Sequence, residues 1–286
     1  MIASYRLGLV LIIAATLAWS VAGLFTRWIS TDTGTMLVWR GLFGALGIFA
    51  VICALQGRNG ITAFVRLGHI GWAYALVSGV GMICFITALR LTTVAHVSII
   101  YATVPLVAAG LGWMILRERP GRSALVASLF ALLGVTIMVG LGTDGTLSGD
   151  LLAFGMTMAL AVMMVISRRY QGLLTLQAAC LSALLSAIIA LPMAHDLAVP
   201  ADQLGLLALF GLVNSALGLA LFALGSRMLP PVETELITAL DAPLAPVWVW
   251  LIFGEVIRRE TLLGGGIVFA AVLVHLARHN RRAVAR

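Results

Sequence analysis

Long apolar runs separated by short polar segments fill this sequence. An apolar run of 18 or more residues is long enough to cross the hydrocarbon core of a membrane. Runs that are continuous on this scale indicate helices, because barrel strands alternate over about ten residues. Ten spans are predicted, at roughly 7–29, 35–55, 69–89, 93–116, 123–141, 149–168, 173–194, 204–226, 231–253 and 261–278. The expected fold class is an all-α integral membrane protein.

Composition supports this prediction and limits the partners. The 286 residues are 62% hydrophobic and 10% charged, whereas soluble domains are about half apolar and a quarter charged. All 18 basic residues are arginines, and they stand one or two together near the ends of apolar runs, so the net charge of +7 does not indicate nucleic acid. Cys53, Cys84 and Cys180 lie inside apolar runs without metal or disulfide spacing. The expected surroundings are the lipid bilayer, and no cofactor or metal is expected.

The distribution of arginine predicts the orientation. Cytoplasmic loops are enriched in arginine and lysine. With the N-terminus inside, the inner segments hold Arg6, Arg58, Arg66, Arg117, Arg119, Arg122, Arg168, Arg169, Arg227, Arg278, Arg281, Arg282 and Arg286. The outer segments hold only Arg27, Arg90, Arg258 and Arg259. We therefore expect a multi-pass protein of the bacterial inner (plasma) membrane, with an uncleaved first span and both termini in the cytoplasm.

The two halves of the chain carry matching features. Pro105 in span four aligns with Pro243 in span nine, and each span is followed by a glutamate, Glu118 or Glu255. The polar turn at 142–150 divides the spans into five and five. Because five is odd, the second half inserts inverted, so 1–144 and 145–286 are predicted as two inverted five-helix repeats within one membrane unit. Such repeats are typical of alternating-access transporters with a site near the midplane.

These features together resemble a known family. Arg40 in the motif WRG early in span two, Pro105 and Pro243, Glu118 in LRERP and Glu255 in FGEVIRRE are similar to the EamA-type drug/metabolite transporter superfamily. The similarity extends over essentially the whole chain, and within the superfamily it is greatest to the YddG-type aromatic amino-acid exporters. It implies export of small amphipathic metabolites, with aromatic amino acids as the leading substrates. The matched prolines are predicted as hinges, since proline interrupts helical hydrogen bonding.

Helical spacing brings polar and aromatic side chains onto one face of several spans, because residues three and four apart share a face. A cavity that is apolar with a few polar anchors is typical of small-molecule sites. Close packing of helices through small residues is the alternative for most of these faces. The predicted substrate-binding residues are Trp19, Tyr74, Ser78, His96, Tyr101, Met163, Asn214, Ser215, Thr238 and Asp241.

Two charged residues inside the spans are candidates for a specific role. Asp241 is expected near mid-bilayer, where a charge is costly unless it is paired or hydrated. It is predicted to bind a substrate ammonium or to act as a protonatable gate, and proton coupling is therefore possible. The alternative is that Asp241 only bonds to backbone groups that the prolines leave without helical partners. Arg40 either pairs with Asp32 or binds a substrate carboxylate. Its repeat counterpart is absent, since the segment 174–177 reads LTLQ.

Other function classes fit the sequence less well. A membrane enzyme would need clustered catalytic groups such as HExxH, and the five histidines are scattered without metal spacing. A channel would need rings of charge or symmetry around a pore. The protein is therefore not expected to be an enzyme. Other amino acids, nucleobases and amphipathic drugs remain alternative substrates, and direction and energy coupling stay open.

Overall fold

The structure is a computed structural model that describes most of the chain. It covers residues 2–117, 145–229, 240–255 and 257–284, together with 126, 129–130, 132–134, 136–137, 234 and 237–238. All regular secondary structure in these residues is helical, as predicted. The predicted span 123–141 lies largely outside the described residues, as do Glu118 and the start of span nine. The total of ten spans therefore stays a prediction.

Within the part of the chain that the structure describes, six helical segments are long and apolar enough to cross a membrane. They correspond to predicted spans one, two, three, six, seven and eight, and their bounds are Tyr5–Trp28, Thr33–Arg66, Gly68–Leu91, Leu147–Arg169, Thr175–Met193 and Ala201–Gly225. Span four corresponds to a bent pair, Val94–Tyr101 with Leu106–Leu116, and spans nine and ten to the shorter apolar helices Leu244–Phe253 and Leu262–Ala271. The protein is thus a multi-pass membrane protein.

Twelve α-helices are labelled here in chain order. The first half contributes α1 (Ile2–Ser20), α2 (Ala22–Trp28), α3 (Thr33–Ala63), α4 (Gly68–Leu91), α5 (Val94–Tyr101) and α6 (Val104–Leu116). The second half contributes α7 (Leu147–Arg169), α8 (Thr175–Ala190), α9 (Ala201–Phe210), α10 (Gly218–Gly225), α11 (Asp241–Phe253) and α12 (Arg259–Val284). A π-helical segment, Gly211–Leu217, joins α9 to α10.

Several spans are interrupted along their length. Span one breaks at Val21 between α1 and α2, and span four breaks after Tyr101, where the pair bends by 40°. Span nine has a turn at Leu240, so α11 begins at Asp241. Pro105 and Pro243 each lie in the first turn of the helix that follows the break. A missing N–H is tolerated there, because the first N–H groups of a helix have no intrahelical partner.

The two halves interleave rather than stand side by side. Helix α3 packs against α8 and the π-helical segment, α4 against α7 and α8, α1 against α10, and α5 against α11. Glycine makes the closest of these contacts possible. A Cβ on Gly41 would lie 2.6 Å from the carbonyl oxygen of Ala183, and one on Gly211 would lie 2.6 Å from that of Arg40. These approaches bring Arg40 directly beside the π-helical segment.

Candidate functional site

A cavity of about 330 Å³ lies between the two halves. Its volume is at the small end of the range for small-molecule sites, roughly 300–1,000 Å³. Its apolar wall includes the large side chains Trp19, Met82, Phe85, Leu89, Met156, Leu160, Met163 and Leu219. Its polar lining consists of Arg40, Ser78, Ser98, Tyr101, Ser182, Asn214, Ser215 and Asp241. The cavity is therefore a mainly apolar space with one cation and one anion in its wall.

Seven of the ten residues predicted to bind substrate line this cavity. They are Trp19, Ser78, Tyr101, Met163, Asn214, Ser215 and Asp241. They come from six different helical elements in both halves. Residues that helical spacing selected in separate spans, and that are distant in sequence, thus meet at one cavity. Whether they bind a substrate stays a prediction.

The other three predicted residues lie elsewhere in this structure. Tyr74 packs with the cluster around Leu67, Ala75 and Ala178, and its hydroxyl lies near Ser167. The hydroxyl of Thr238 donates to the carbonyl of Thr234 at 2.8 Å. His96 is 1% exposed, and its Nδ1 lies 3.0 Å from Oδ1 of Asp150. None of the three lines the cavity.

Arg40 is held deep inside the protein at the cavity wall. Only 1% of the residue is exposed, and its Nη2 donates to Oδ1 of Asn214 at 2.8 Å. Its Cζ lies 4.7 Å from the centre of the Phe210 ring, within the range of a cation–π contact. Its Nε has no hydrogen-bond partner among the described residues. The expected alternative of pairing with Asp32 is not found, because the carboxylate of Asp32 caps α3 and accepts from Thr35 N at 2.9 Å.

Asn214 connects Arg40 to the first span. While its carbonyl accepts from Arg40, its Nδ2 donates to the carbonyl oxygens of Ala18 and Trp19, both at 3.2 Å. Those carbonyls lie in the last turn of α1, where helical acceptors lack intrahelical partners. Asn214 is at the centre of the π-helical segment, a feature that often occurs at functional sites. The π-helical segment thus positions the amide of Asn214, and this amide in turn holds the guanidinium of Arg40.

Asp241 reaches the cavity from the first turn of α11. A carboxylate near a helix N-terminus interacts favourably with the helix dipole. Among the described residues, its side chain makes no ion pair or hydrogen bond, although Tyr101 is its electrostatic neighbour. In particular it does not pair with Arg40. The cavity wall therefore carries one basic and one acidic side chain, which project from different helices.

Part of the lining was not predicted from the sequence. Helix α8 contributes Ala179, Ser182 and Ala183, and the hydroxyl of Ser182 donates to Ser78 at 2.7 Å. On α5, Val94, Val97 and Ser98 line the cavity beside the predicted Tyr101, whereas the predicted His96 does not. Apart from Tyr101, these residues of α5 and α8 are apolar or small, so the sequence pattern does not distinguish them from ordinary helix contacts.

Polar contacts link the two halves at the end of the protein that is predicted to face outward. Arg27 Nε donates to Glu255 at 3.3 Å, and its Nη1 donates to the carbonyl of Leu89 at 2.6 Å. His96 and Asp150 form a second link between the halves, and Thr92 also donates to Asp150 at 3.0 Å. We call the Arg27–Glu255 and His96–Asp150 pairs the outer seal. No group of three or more metal-ligating side chains occurs in the part of the chain that the structure describes.

Comparison with known proteins gives a family match and a structural match. The sequence pattern of the EamA-like transporter family matches the chain twice, over residues 6–140 and 147–277. A solved crystal structure of another protein has a TM-score of 0.66, with 18% sequence identity over 98% of each chain, and therefore shares the fold. No curated protein sequence matches the chain.

Proposed function

The chain belongs to the EamA-like transporter family, and on that premise we propose that it is a secondary transporter that exports small amphipathic metabolites. Aromatic amino acids are the proposed substrates. We place the protein in the bacterial inner membrane with both termini in the cytoplasm, as the arginine distribution indicates.

One observation carries the substrate proposal. The cavity combines aromatic and thioether side chains, among them Trp19, Phe85 and Met163, with a separate cation and anion, Arg40 and Asp241. An aromatic amino acid presents the complementary groups, a flat apolar ring and a zwitterionic head. Nucleobases and most amphipathic drugs lack such a pair of opposite charges on groups that share one carbon atom. The proposed substrate contacts are the seven predicted residues that line the cavity.

The proposed mechanism is alternating access around this cavity. The two family matches support a pair of repeats, and the interruptions in spans four and nine lie in corresponding parts of the halves. Inverted repeats related in this way move as two bodies about a fixed site. Pro105 and Pro243 are the proposed hinges. The outer seal would open when the cytoplasmic side closes.

Flux measurements with reconstituted protein test this function. The purified chain in proteoliposomes should carry phenylalanine and tryptophan with saturable rates that exceed those for alanine, glutamate and adenine. Protein-free liposomes are the control. Equal rates for alanine, glutamate and phenylalanine would remove the aromatic assignment, and a rate that never saturates would favour a channel. An absence of flux for every solute, with and without a pH gradient, would reopen the enzyme class.

A further inference from the structure

Arg40 is a buried cation without an acidic partner. It is 1% exposed, and among the described residues its only side-chain hydrogen bond is to the neutral amide of Asn214. An ionisable side chain within a span is costly, and such residues usually pair with an opposite charge or mark a substrate pathway. The described protein supplies no such pair for Arg40, although Asp241 lines the same cavity. The missing partner is therefore expected to come from the solute.

We propose that Arg40 binds the carboxylate of the transported solute. This inference rests on the proposed function and identifies the group that recognises one end of the substrate. A guanidinium presents a planar fork of N–H donors that matches a carboxylate in two-point geometry. The Nη2 of Arg40 already donates to Asn214, whereas its Nε has no partner among the described residues. Among the described residues, the lining contains no second cation, which favours a carboxylate over a doubly charged phosphate.

The surroundings of Arg40 suit a bound carboxylate. Phe210 covers one face of the guanidinium at 4.7 Å and shields it from competing water. Asn214 prevents the side chain from turning away, because its amide is itself tied to Ala18 and Trp19. Besides lining the cavity, Asn214 thus positions Arg40, and Arg40 is the group that contacts the carboxylate of the solute. With Asp241 available for an ammonium, a zwitterion would enter without adding net charge to the cavity.

Ligands that differ by one charged group test the inference. Equilibrium binding to the purified full chain is measured for phenylalanine, for phenethylamine, which lacks the carboxylate, and for 3-phenylpropionate, which lacks the ammonium. The wild type should bind phenylalanine at least about tenfold more tightly than phenethylamine, a factor worth 1.4 kcal/mol. In Arg40→Gln this preference should vanish, while affinity for phenethylamine is retained.

A second variant keeps the test decisive if Arg40→Gln fails to fold. Asn214→Asp places a carboxylate of the same size beside Arg40 and satisfies the cation within the protein. The ion pair with Arg40 offsets the loss of the amide bonds to Ala18 and Trp19, so the variant should fold. It should weaken phenylalanine and 3-phenylpropionate about tenfold without weakening phenethylamine. The matched control is Arg90→Gln, since Arg90 lies outside the cavity and bonds to the carbonyls of Ile29 and Thr31. It should leave the ligand preference unchanged.

The outcomes separate this inference from the proposed function. If phenylalanine is carried but its preference over phenethylamine survives both Arg40→Gln and Asn214→Asp, the transport function stands and the role of Arg40 is overturned. If non-aromatic carboxylates bind as well as phenylalanine and depend on Arg40, the carboxylate site stands and the aromatic assignment fails. A wild type that binds phenethylamine as tightly as phenylalanine overturns the inference directly.

Discussion

At the residue scale, the protein holds the two charges of the cavity in different ways. Arg40 is fixed by Asn214 and covered by Phe210. Asp241 projects from the start of α11 without a side-chain partner in the described residues. Because Arg40 is fixed and Asp241 is less constrained, a zwitterionic solute would first be oriented by the contact of its carboxylate with Arg40. The ammonium would then be bound by a group that can adjust to ring size.

Replacing Asp241 by asparagine tests its role. As an ammonium partner, Asp241→Asn should weaken phenylalanine binding about tenfold at every pH between 5 and 8, because an ionic hydrogen bond is replaced by a neutral one. Binding and flux are measured across that pH range, with the exposed Asp202→Asn as control. Loss of pH dependence with intact affinity would instead identify a protonatable gate. Unchanged affinity, rate and pH profile would contradict both roles.

The site residues show what the sequence could and could not predict. Helical spacing identified Ser78, Asn214 and Asp241, because polar groups stand out within apolar spans. It also selected His96, whose partner Asp150 lies 54 positions later and gave no local signal. The role of Arg40 stayed open for the same reason, since its contact with Asn214 spans 174 positions. The roles of His96 and Arg40 depend on partners that are distant in sequence, and helical periodicity does not indicate which residues pair over such distances.

At the element scale, the proposed mechanism depends more on where the spans are interrupted than on how many spans there are. Apolar runs predict spans well because hydropathy is averaged over about 20 residues. The break after Tyr101 and the π-helical segment Gly211–Leu217 depend on a few residues and on their neighbours in space. Glycine at 211 is compatible with the close approach to α3, but a lone glycine within a span does not specify a π-helix. These features were therefore not predicted.

The prolines beside two of these breaks give an element-scale prediction. Pro105→Ala and Pro243→Ala should each slow phenylalanine flux several-fold while changing its affinity by less than about twofold, because alanine removes the ring that prevents the preceding helix from continuing through the break, and a continuous helix bends less easily. Flux in proteoliposomes and equilibrium binding are compared for each variant, and Pro192→Ala outside the cavity is the control. Flux at the wild-type rate in both single variants and in the double variant would exclude a hinge role.

The N-terminus of α3 offers a prediction for stability. Burial raises the pKa of Asp32, but hydrogen bonds from Thr35 and the nearby His195 outweigh it and lower the pKa overall. The ionised carboxylate therefore stabilises the fold above its unfolded pKa, and this contribution is lost as pH falls through the lower folded value. Asp32→Ala should reduce the free energy of unfolding by about 1 kcal/mol at pH 7. An equal loss at pH 2.5, measured by denaturant unfolding in detergent, would contradict this assignment.

At the scale of the whole molecule, the cavity lies between interleaved halves, and the outer seal links these halves at the end that is predicted to face outward. Buried apolar side chains, among them Phe25, Leu37, Ile86 and Phe210, form one cluster. In the proposed mechanism, the outer seal is intact when the cavity is closed to the periplasm. Opening it would require the Arg27–Glu255 and His96–Asp150 pairs to separate, as alternating access demands.

The orientation itself is tested by labelling from outside the cell. In a background with Cys53, Cys84 and Cys180 replaced by serine, Thr146→Cys should react with a membrane-impermeant maleimide in intact cells. Arg282→Cys should react only after the membrane is permeabilised. The excess of arginine in the predicted inner segments is the physical reason. The reverse labelling pattern would invert the proposed direction of every helix.

Transport through the cavity is tested most directly by counterflow of labelled phenylalanine in proteoliposomes. The wild type is compared with a variant in which a larger side chain fills the cavity. The wild type should accumulate label transiently and saturably. Ser78→Trp places a large side chain in the cavity wall and should abolish accumulation, whereas Ser148→Trp at the exposed start of α7 should not. Counterflow that persists in a folded Ser78→Trp protein would contradict transport through this cavity.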